Sequence, residues 1–346
     1  MLHLLLAFLI GASPAAESIS VSPTPQALHP LRLAAPVFGQ TLEIEVRELP
    51  REGAREAIQA ALAEVAAVEK LTDPEAAPDA KGAGLAALNA RAGQGPQQVD
   101  PRLLTALIRA LEVCHWSERA HGPLGRDLYE LWGLRQPAEA GPADDPDVFR
   151  RAVDAANCKN LRLNADAGTA ELPAGAALDL WGFAEGLAVD QAVAVLRQRG
   201  VTNGFVQLGN VYRGFGSGLD SRGWHVQIQS LPGMALPLGR IFLRDQSLAV
   251  ASATDRPLRV AVGAGLPPYV HQREGRPAKG TLATCVVTTS ALDAQALAVT
   301  LAITGPNEGQ LRLGTLRPRP SVLWLQGSGG GEPLTIEYQW GLVPKR

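Results

Sequence analysis

Three features of the chain predict an α+β fold. Strand-like runs dominate the second half, two helical segments interrupt them, and the elements never settle into strict β-α-β alternation. With 346 residues, 46% hydrophobic and 19% charged, the chain can bury a large core. A mean hydropathy of +0.02 excludes a disordered chain and an ordinary polytopic membrane protein. Lys+Arg total 32 against Asp+Glu 34, a net charge of -2, so no global field gathers phosphate backbones and nucleic acid is excluded as a partner. The 36 Gly and 26 Pro predict many turns. Cys114, Cys158 and Cys285 are too few for a disulfide framework and form no C-x-x-C pair for zinc.

From Leu4 to Ile10 the chain is apolar, and Gly11-Ala12-Ser13-Pro14-Ala15-Ala16 follows. The run is too short to span a bilayer but has the length of a signal-peptide core before a small-residue cleavage site. Residues 1–16 are therefore expected to be a signal peptide and 17–346 a single domain. A buried N-terminal strand is the alternative. No cysteine lies near the cut to carry a lipid, so the protein is expected to be exported, periplasmic or extracellular, with no integral membrane span.

Thr41–Val46 alternates polar and apolar side chains, a half-buried strand. Ile58, Leu62, Val65 and Val68 then share one helical face. Residues 72–84 lose periodicity and read as an exposed loop. Asp100-Pro101 opens a second helix as N-cap and first-turn proline, with Leu104, Ile108, Leu111 and His115 spaced for one face. Residues 136–146 form a Pro/Ala/Asp-rich connector. Val189–Leu196 is helical and stops at Gly200; Val201–Leu208 is a strand ending at Gly209. Shorter strands are expected at Trp224–Ile228, Leu248–Ala251, Leu258–Val262, Thr284–Thr288 and Val322–Leu325. A last helix runs from Ser290 to Ile303 and closes at Gly305-Pro306. No internal repeat or heptad pattern is present.

Generic motifs contribute little. Gly214-Phe215-Gly216-Ser217-Gly218 resembles a phosphate loop, but a strand rather than a helix follows it, so it reads as a hairpin turn. The chain has no G-x-S-x-G elbow, no H-E-x-x-H and no Walker lysine.

A specific pattern does run through the chain. Leu88-Asn89 and Gly93–Pro96 precede the helix from Pro101, then His121-Gly122-Pro123 and Leu128-Tyr129-Glu130-Leu131-Trp132-Gly133. Asp179-Leu180-Trp181-Gly182-Phe183-Ala184-Glu185-Gly186-Leu187-Ala188-Val189-Asp190 is the most specific piece, leading to Gly200 and Gln207-Leu208-Gly209-Asn210. Tyr269-Val270-His271, Gly275-Arg276-Pro277-Ala278 and Ala294–Thr300, ending at Gly305, complete the order. Over nearly the whole mature chain this resembles the FAD:protein FMN transferase (ApbE) family. The resemblance implies an ApbE-like flavin-transferase fold of mixed or antiparallel sheets with packed helices. It further implies an exported enzyme that cleaves FAD with Mg2+ assistance. FMN then passes to a Ser or Thr of an exported flavoprotein, and AMP is released.

Carried over residue by residue, the resemblance places Asp179 and Glu185 against FAD, and gives the backbone carbonyl of Gly182 to the metal. Ala120, His121 and Gly122 fall where relatives have an Ala-Phe-Asp-Pro run along the flavin, here without its acid. His271 matches the histidine of a His-x-x-Asp-Pro-x-x-Gly turn, making it the implied catalytic residue, with the Asp-Pro stretch shortened away. The largest departure is in the last helix. The family's Asp and Thr metal ligands, one turn apart, become Gln295 and Val299 in the register that aligns Gly305. Mg2+ prefers near-octahedral oxygen ligation with carboxylates; glutamine offers one neutral oxygen and valine none. Asp293 and Thr300 stand two turns apart, about 10 Å of rise, too far to share one ion. No carboxylate pair is thus expected within chelating reach of the Gly182 carbonyl, and Mg2+ is doubtful for this chain. Asp220, Asp245 and Asp255 are unassigned acids, more at home in exposed turns. Arg256, Arg259, Arg273 and Arg276 surround His271 in sequence, as a solvated surface or as diphosphate contacts.

Two functions of different class stand at this point. One is a divergent FMN transferase with impaired or altered metal dependence; the other is a degenerate, non-catalytic flavin-binding or interaction protein of the same fold. A secreted β-rich binding domain without flavin is a third.

Overall fold

The computed structural model describes residues 29–77, 82–134, 145–228, 239–253, 269–327 and 333–342. The expected signal peptide, the start of the expected domain, most of the 136–146 connector, the expected strand Leu258–Val262, and Arg256, Arg259 and Asp255 lie outside the described residues.

In chain order, β1 (Leu31–Val37) and β2 (Gln40–Arg47) lead into α1 (Arg51–Thr72), α2 (Leu85–Ala90), β3 (Gln97–Gln98) and α3 (Pro101–Trp116). Next come α4 (Arg126–Leu131), α5 (Pro146–Ala155), β4 (Arg162–Asn164), β5 (Thr169–Glu171), α6 (Ala184–Gln198), β6 (Asn203–Leu208) and β7 (Val211–Phe215). The chain continues through β8 (Trp224–Ile228), β9 (Gly239–Leu243), β10 (Gln246–Ser252), β11 (Val270–His271), β12 (Arg276–Pro277) and β13 (Thr281–Thr288). It ends with α7 (Ala291–Leu313), β14 (Ser321–Gln326) and β15 (Leu334–Tyr338).

Among the described residues the main sheet has eight strands in the order β1-β2-β6-β7-β10-β13-β14-β15, every neighbouring pair antiparallel. Period-2 alternation sets its faces. Leu42, Ile44 and Val46 of β2 turn inward with Val206, Ala249, Ala251 and Val286, onto the helical layer. On the other side, Leu248, Cys285, Val287 and Leu323 pack under Val226, Ile228, Ile241 and Leu243 of the β8–β9 pair. Strands β10 and β13 are covered on both faces, which is why their sequences read as nearly unbroken apolar runs.

The helical layer is α1, α3, α6 and α7. Ile58, Ala61, Val65 and Val68 of α1 join Leu187, Ala188, Ala192 and Leu196 of α6 in one core. Asp100 caps α3 as expected, its carboxylate accepting from the Arg102 amide at 2.9 Å. The buried face of α3 agrees with the expected one only at Leu104: Leu103, Leu107, Ala110 and Cys114 are buried beside it, Ile108 and Leu111 are half-buried, and His115 is exposed. Small alanines let α3 approach its neighbours closely, so the packed stripe passes through Ala110 rather than through the largest side chains. Asp145-Pro146 repeats the Asp-Pro start and opens α5, at the end of the stretch read as a connector.

The first helical stretch of α7 closes at Gly305 as expected, and a second follows it to Leu313. Gly305 breaks the helical path with φ 68° and ψ 179°, and Pro306 restarts it without needing a backbone N–H. The Gly214–Gly218 turn leads out of β7 as expected, yet β7 pairs with β6 and β10 while β8 pairs with β9, so it connects two sheets and closes no hairpin.

Two of the three cysteines are joined: a Cys114–Cys158 disulfide links α3 to the turn before β4. One bridge among three cysteines is not a disulfide framework, and buried Cys285 takes no part in it. Closing a loop of 44 residues removes about 4 kcal/mol of unfolded-state entropy in the chain-entropy treatment. Replacing both cysteines by serine is therefore expected to lower unfolding free energy by roughly 3 kcal/mol, read as a lower urea midpoint with a steeper slope from the more expanded denatured chain.

Candidate functional site

Where the β1–β2 turn, the start of α6, the ends of β6 and β10, and the first half of α7 converge, they enclose a cavity of about 380 Å³. Its rim begins with the two-residue turn Phe38-Gly39, since Val37 pairs directly with Gln40. Both turn residues have positive φ, 54° and 65°, which matches the right-handed twist of the flanking strands. A phenylalanine is costly in that conformation, and here it is placed at the cavity.

Trp181 forms one wall. Its indole lies 5.8 Å from the Tyr269 ring at 25° and meets Tyr129 edge-on at 5.0 Å. The backbone beneath it is held from several sides. Buried Asp179 accepts from the Trp181 amide at 2.8 Å, while its own amide donates to the Pro123 carbonyl at 2.8 Å. The Asn89 side chain clamps both backbone groups of Leu178, donating to its carbonyl at 3.0 Å and accepting from its amide at 2.8 Å. The Leu88-Asn89 motif thus supports the Asp179 segment. Asp179 faces an adjoining cleft of about 180 Å³, shared with Glu69, Asp73, Trp181 and Glu185.

The N-termini of α6 and α7 cross at the cavity floor. A Cβ on Gly186 would lie 2.6 Å from the Ala291 carbonyl oxygen and 2.7 Å from Leu292 Cα, so only glycine permits this approach. Asp190 locks the crossing, accepting from Ser290 Oγ at 3.0 Å and from the amides of Ala291 at 2.9 Å and Leu292 at 3.0 Å. Burial pushes the Asp190 carboxyl up from its ordinary value, against the pull of those N–H donors and of Arg213. Its place in the motif is explained by capping α7.

Gln295 faces Glu185 across this floor. Its Nε2 donates to Glu185 Oε2 at 2.7 Å, and its Oε1 accepts from the Gly186 amide at 2.7 Å. Gln40 Nε2 reaches Glu185 Oε1 at 3.4 Å. Gly182 has φ 87°, and a Cβ there would lie 3.2 Å from Val299 Cγ2, which puts the valine methyl beside the Gly182 backbone. An amide engaged at both ends and a hydrocarbon do not make a magnesium site. Asp293 pairs with Arg109 at 2.6 Å, while Asp220 and Asp245 are exposed and pair with Arg222 and Arg197. Among the described residues, no group of three or more His, Cys, Asp or Glu side chains is arranged to hold a metal.

The remaining expected site residues lie behind the wall. Gly182, Glu185, Gln295 and Val299 line the cavity; Ala120, His121, Gly122 and His271 do not. His121 is fully buried, stacked on Phe183 at 4.6 Å and 11°. The Trp181 carbonyl lies 3.3 Å from Nε2 and can only accept, so a proton on Nε2 would donate to it. The other ring nitrogen, Nδ1, faces the Thr300 hydroxyl at 3.0 Å, which also reaches the Ala296 carbonyl at 2.7 Å. Burial pushes His121 down to about 4.

Gly122 rests on the disulfide, where an added Cβ would lie 2.6 Å from Cys114 Sγ. The β11–β12 hairpin joins this layer through Gln272, whose amide donates to the Ala120 carbonyl at 3.0 Å and whose Nε2 donates to the Gly122 carbonyl at 2.9 Å. His271 is 6% exposed and has no hydrogen-bond partner at either ring nitrogen among the described residues; the Glu274 carboxylate is 3.7 Å away. Burial lowers its pKa as well. Arg273 pairs with Glu118 at 3.1 Å and Arg276 is exposed.

Phe38, Gln40, Asn210 and Tyr269 line the cavity without having been singled out as site residues. The signal at Tyr269 and Asn210 was their place in the motif order, whereas Phe38 and Gln40 belong to a turn with no sequence signature.

The model of the ApbE family matches residues 38–319, most of the chain and all the elements around the cavity. The chain belongs to the ApbE family. This ApbE-family chain is 31% identical over 158 residues to a FAD:protein FMN transferase of Treponema pallidum, covering 44% of this chain and 43% of that protein. It is 26% identical over 275 residues to a FAD:protein FMN transferase of Rhodobacter capsulatus, 79% of this chain and 51% of that one. The matches therefore span about half the length of these curated relatives. Among solved structures, the ApbE protein of Thermotoga maritima superposes with a TM-score of 0.79 at 18% identity, covering 92% of this chain and all of that one. The flavin transferase ApbE of Vibrio cholerae gives a TM-score of 0.73 at 20% identity, covering 92% and 97%. These likenesses establish the shared α+β fold.

His121 supplies a test of the layer behind the ApbE wall. The unfolded imidazole takes a proton near pH 6.5 and the folded one near 4, so the unfolded state binds more protons between those values and stability falls as pH drops through the window. The loss approaches roughly 3 kcal/mol at the acid end. His121→Phe, which keeps a ring against Phe183, is expected to remove this part of the pH dependence in urea melts between pH 7 and pH 4.

Proposed function

We propose that this chain takes FAD into the cavity and acts as a FAD:protein FMN transferase, with a Ser or Thr of an exported flavoprotein as acceptor. One observation carries the reading. Trp181, Gly182 and Glu185, from the most specific motif, form the cavity wall together with Tyr269, an aromatic shelf suited to a flavin or adenine plane. Gln40, Asn210 and Gln295 add hydrogen-bonding groups along the same cavity. In the proposed reaction the acceptor hydroxyl oxygen attacks the phosphorus of the FMN half. The bond from that phosphorus to the bridging oxygen breaks, AMP leaves with the bridging oxygen, and the hydroxyl proton passes to solvent. The protein's part is to bind the dinucleotide, align it for attack and limit water access.

Export is part of the proposal. The leader-like first residues support it, and so does the Cys114–Cys158 bridge, because structural disulfides persist in oxidising compartments. No helix among the described residues is long and apolar enough to cross a membrane.

A second reading, flavin binding without transfer, is favoured by Gln295 and Val299 at the positions the resemblance gives to metal ligands, and by a lining with no Lys, Arg or His among the described residues. Incubation with FAD, Mg2+ and a Ser/Thr acceptor domain, followed by intact-mass measurement, separates the two. A mass gain of one FMN with AMP release is the expected outcome; retained flavin without transfer selects the second reading, and no flavin uptake defeats both. Trp181→Ala is expected to weaken FAD binding by about tenfold or more, ~1.4 kcal/mol, in a fluorescence titration.

A further inference from the structure

We propose that the Gln295 amide performs the structural task the family resemblance assigns to a divalent cation. On this view the α6–α7 floor is closed to Mg2+, and flavin-nucleotide binding does not require that ion. The clause about the nucleotide rests on the proposed FAD site; the clause about the floor rests on geometry alone.

The amide fits its place at both ends. Gly186 presents an N–H, which an oxygen must meet, and Glu185 presents a carboxylate, which a donor must meet; Gln295 supplies Oε1 and Nε2 to them at 2.7 Å each. An aspartate at 295 would place a second carboxylate beside Glu185, and like charges at that range repel unless a cation sits between them. The Glu185–Gln295 pair thus carries one negative charge where two carboxylates would carry two, and the amide N–H meets that charge. Through the Gln40 contact at 3.4 Å it extends to the β1–β2 turn, so one chain of polar contacts joins α7, α6 and the cavity rim.

Val299 closes the other side. Magnesium needs about six oxygens at ~2.1 Å. The position beside the Gly182 backbone is instead taken by a buried isopropyl group, 3.2 Å from where a Gly182 Cβ would stand. Neighbouring side chains are engaged elsewhere: the Thr300 hydroxyl donates to the Ala296 carbonyl, Asp293 pairs with Arg109, and Asp190 caps α7. The two replacements are mutually consistent. One removes the carboxylate that needs the ion, and the other fills the space the ion would use.

The test compares thermal unfolding and FAD titration in Mg2+ and in EDTA for wild type, Gln295→Ala, and the double variant Gln295→Asp with Val299→Thr. For wild type, an unchanged Tm and an FAD Kd within about twofold in the two conditions are expected. Gln295→Ala should melt lower than wild type and remain blind to Mg2+. The double variant should bind FAD about tenfold or more tightly in Mg2+ than in EDTA, with a matching Mg2+-dependent rise in Tm. A magnesium response in wild type overturns the proposal, as does a Gln295→Ala protein that melts with wild type, or a folded double variant that ignores the ion. If the double variant does not fold, the wild-type and Gln295→Ala melts still decide. If no protein binds FAD in either condition, the nucleotide proposal fails while the Tm measurements continue to judge the floor.

Discussion

The close crossing of α6 and α7 is the constraint on which the site depends. Gly186 lets the two helix starts touch, and Asp190 fastens α7 by accepting from its first amides. Remove that approach, and Gln295 no longer reaches Glu185, nor does Val299 lie against Gly182. An acid in such a motif invites a chemical role, yet the half-buried carboxylate here is occupied by two backbone amides and the Ser290 hydroxyl. Its work is positional: it sets the depth at which the alanine-rich face of α7 meets the sheet, and hence the shape of the cavity.

A second layer stiffens the wall from behind. His121 stacks on Phe183 and contacts both the Trp181 carbonyl and Thr300, tying the motif segment to α7. Gln272 binds the β11–β12 hairpin to the Ala120–Gly122 run, which itself leans on the disulfide. Where the sequence resemblance leads one to expect a carboxylate in that run, this chain has a glycine pressed against sulfur. The change is intelligible as packing, since a side chain at 122 and the bridge cannot share the same volume.

Much of the fold was legible because the strongest signals were local. Alternation at Thr41–Val46 and the Asp100-Pro101 cap each depend on a few neighbouring residues, and β2 and α3 form there. The buried face of α3 was misread because close packing favoured Ala110 over Leu111, a tertiary choice that periodicity of large side chains does not encode. The end of the first α7 stretch at Gly305-Pro306 was equally legible, since both residues normally end helices; the second stretch that starts at Pro306 and runs to Leu313 had no such signal. At the site, motif order located Gly182, Glu185, Gln295 and Val299 on one cavity. It did not reveal that Ala120, His121 and Gly122 lie under the surface, because distance from a cavity is settled by side-chain packing that sequence spacing does not report. The Cys114–Cys158 pairing was equally hidden, joining residues far apart in the chain.

The turn at Phe38 carries a consequence of its own. Its backbone geometry suits asparagine or glycine, so drift toward either would relax the hairpin and raise the melting temperature. The same drift would strip an aromatic ring from the cavity mouth. Robustness and ligand capture therefore pull this residue in opposite directions, and a library selected for heat resistance alone would be expected to abandon the phenylalanine first.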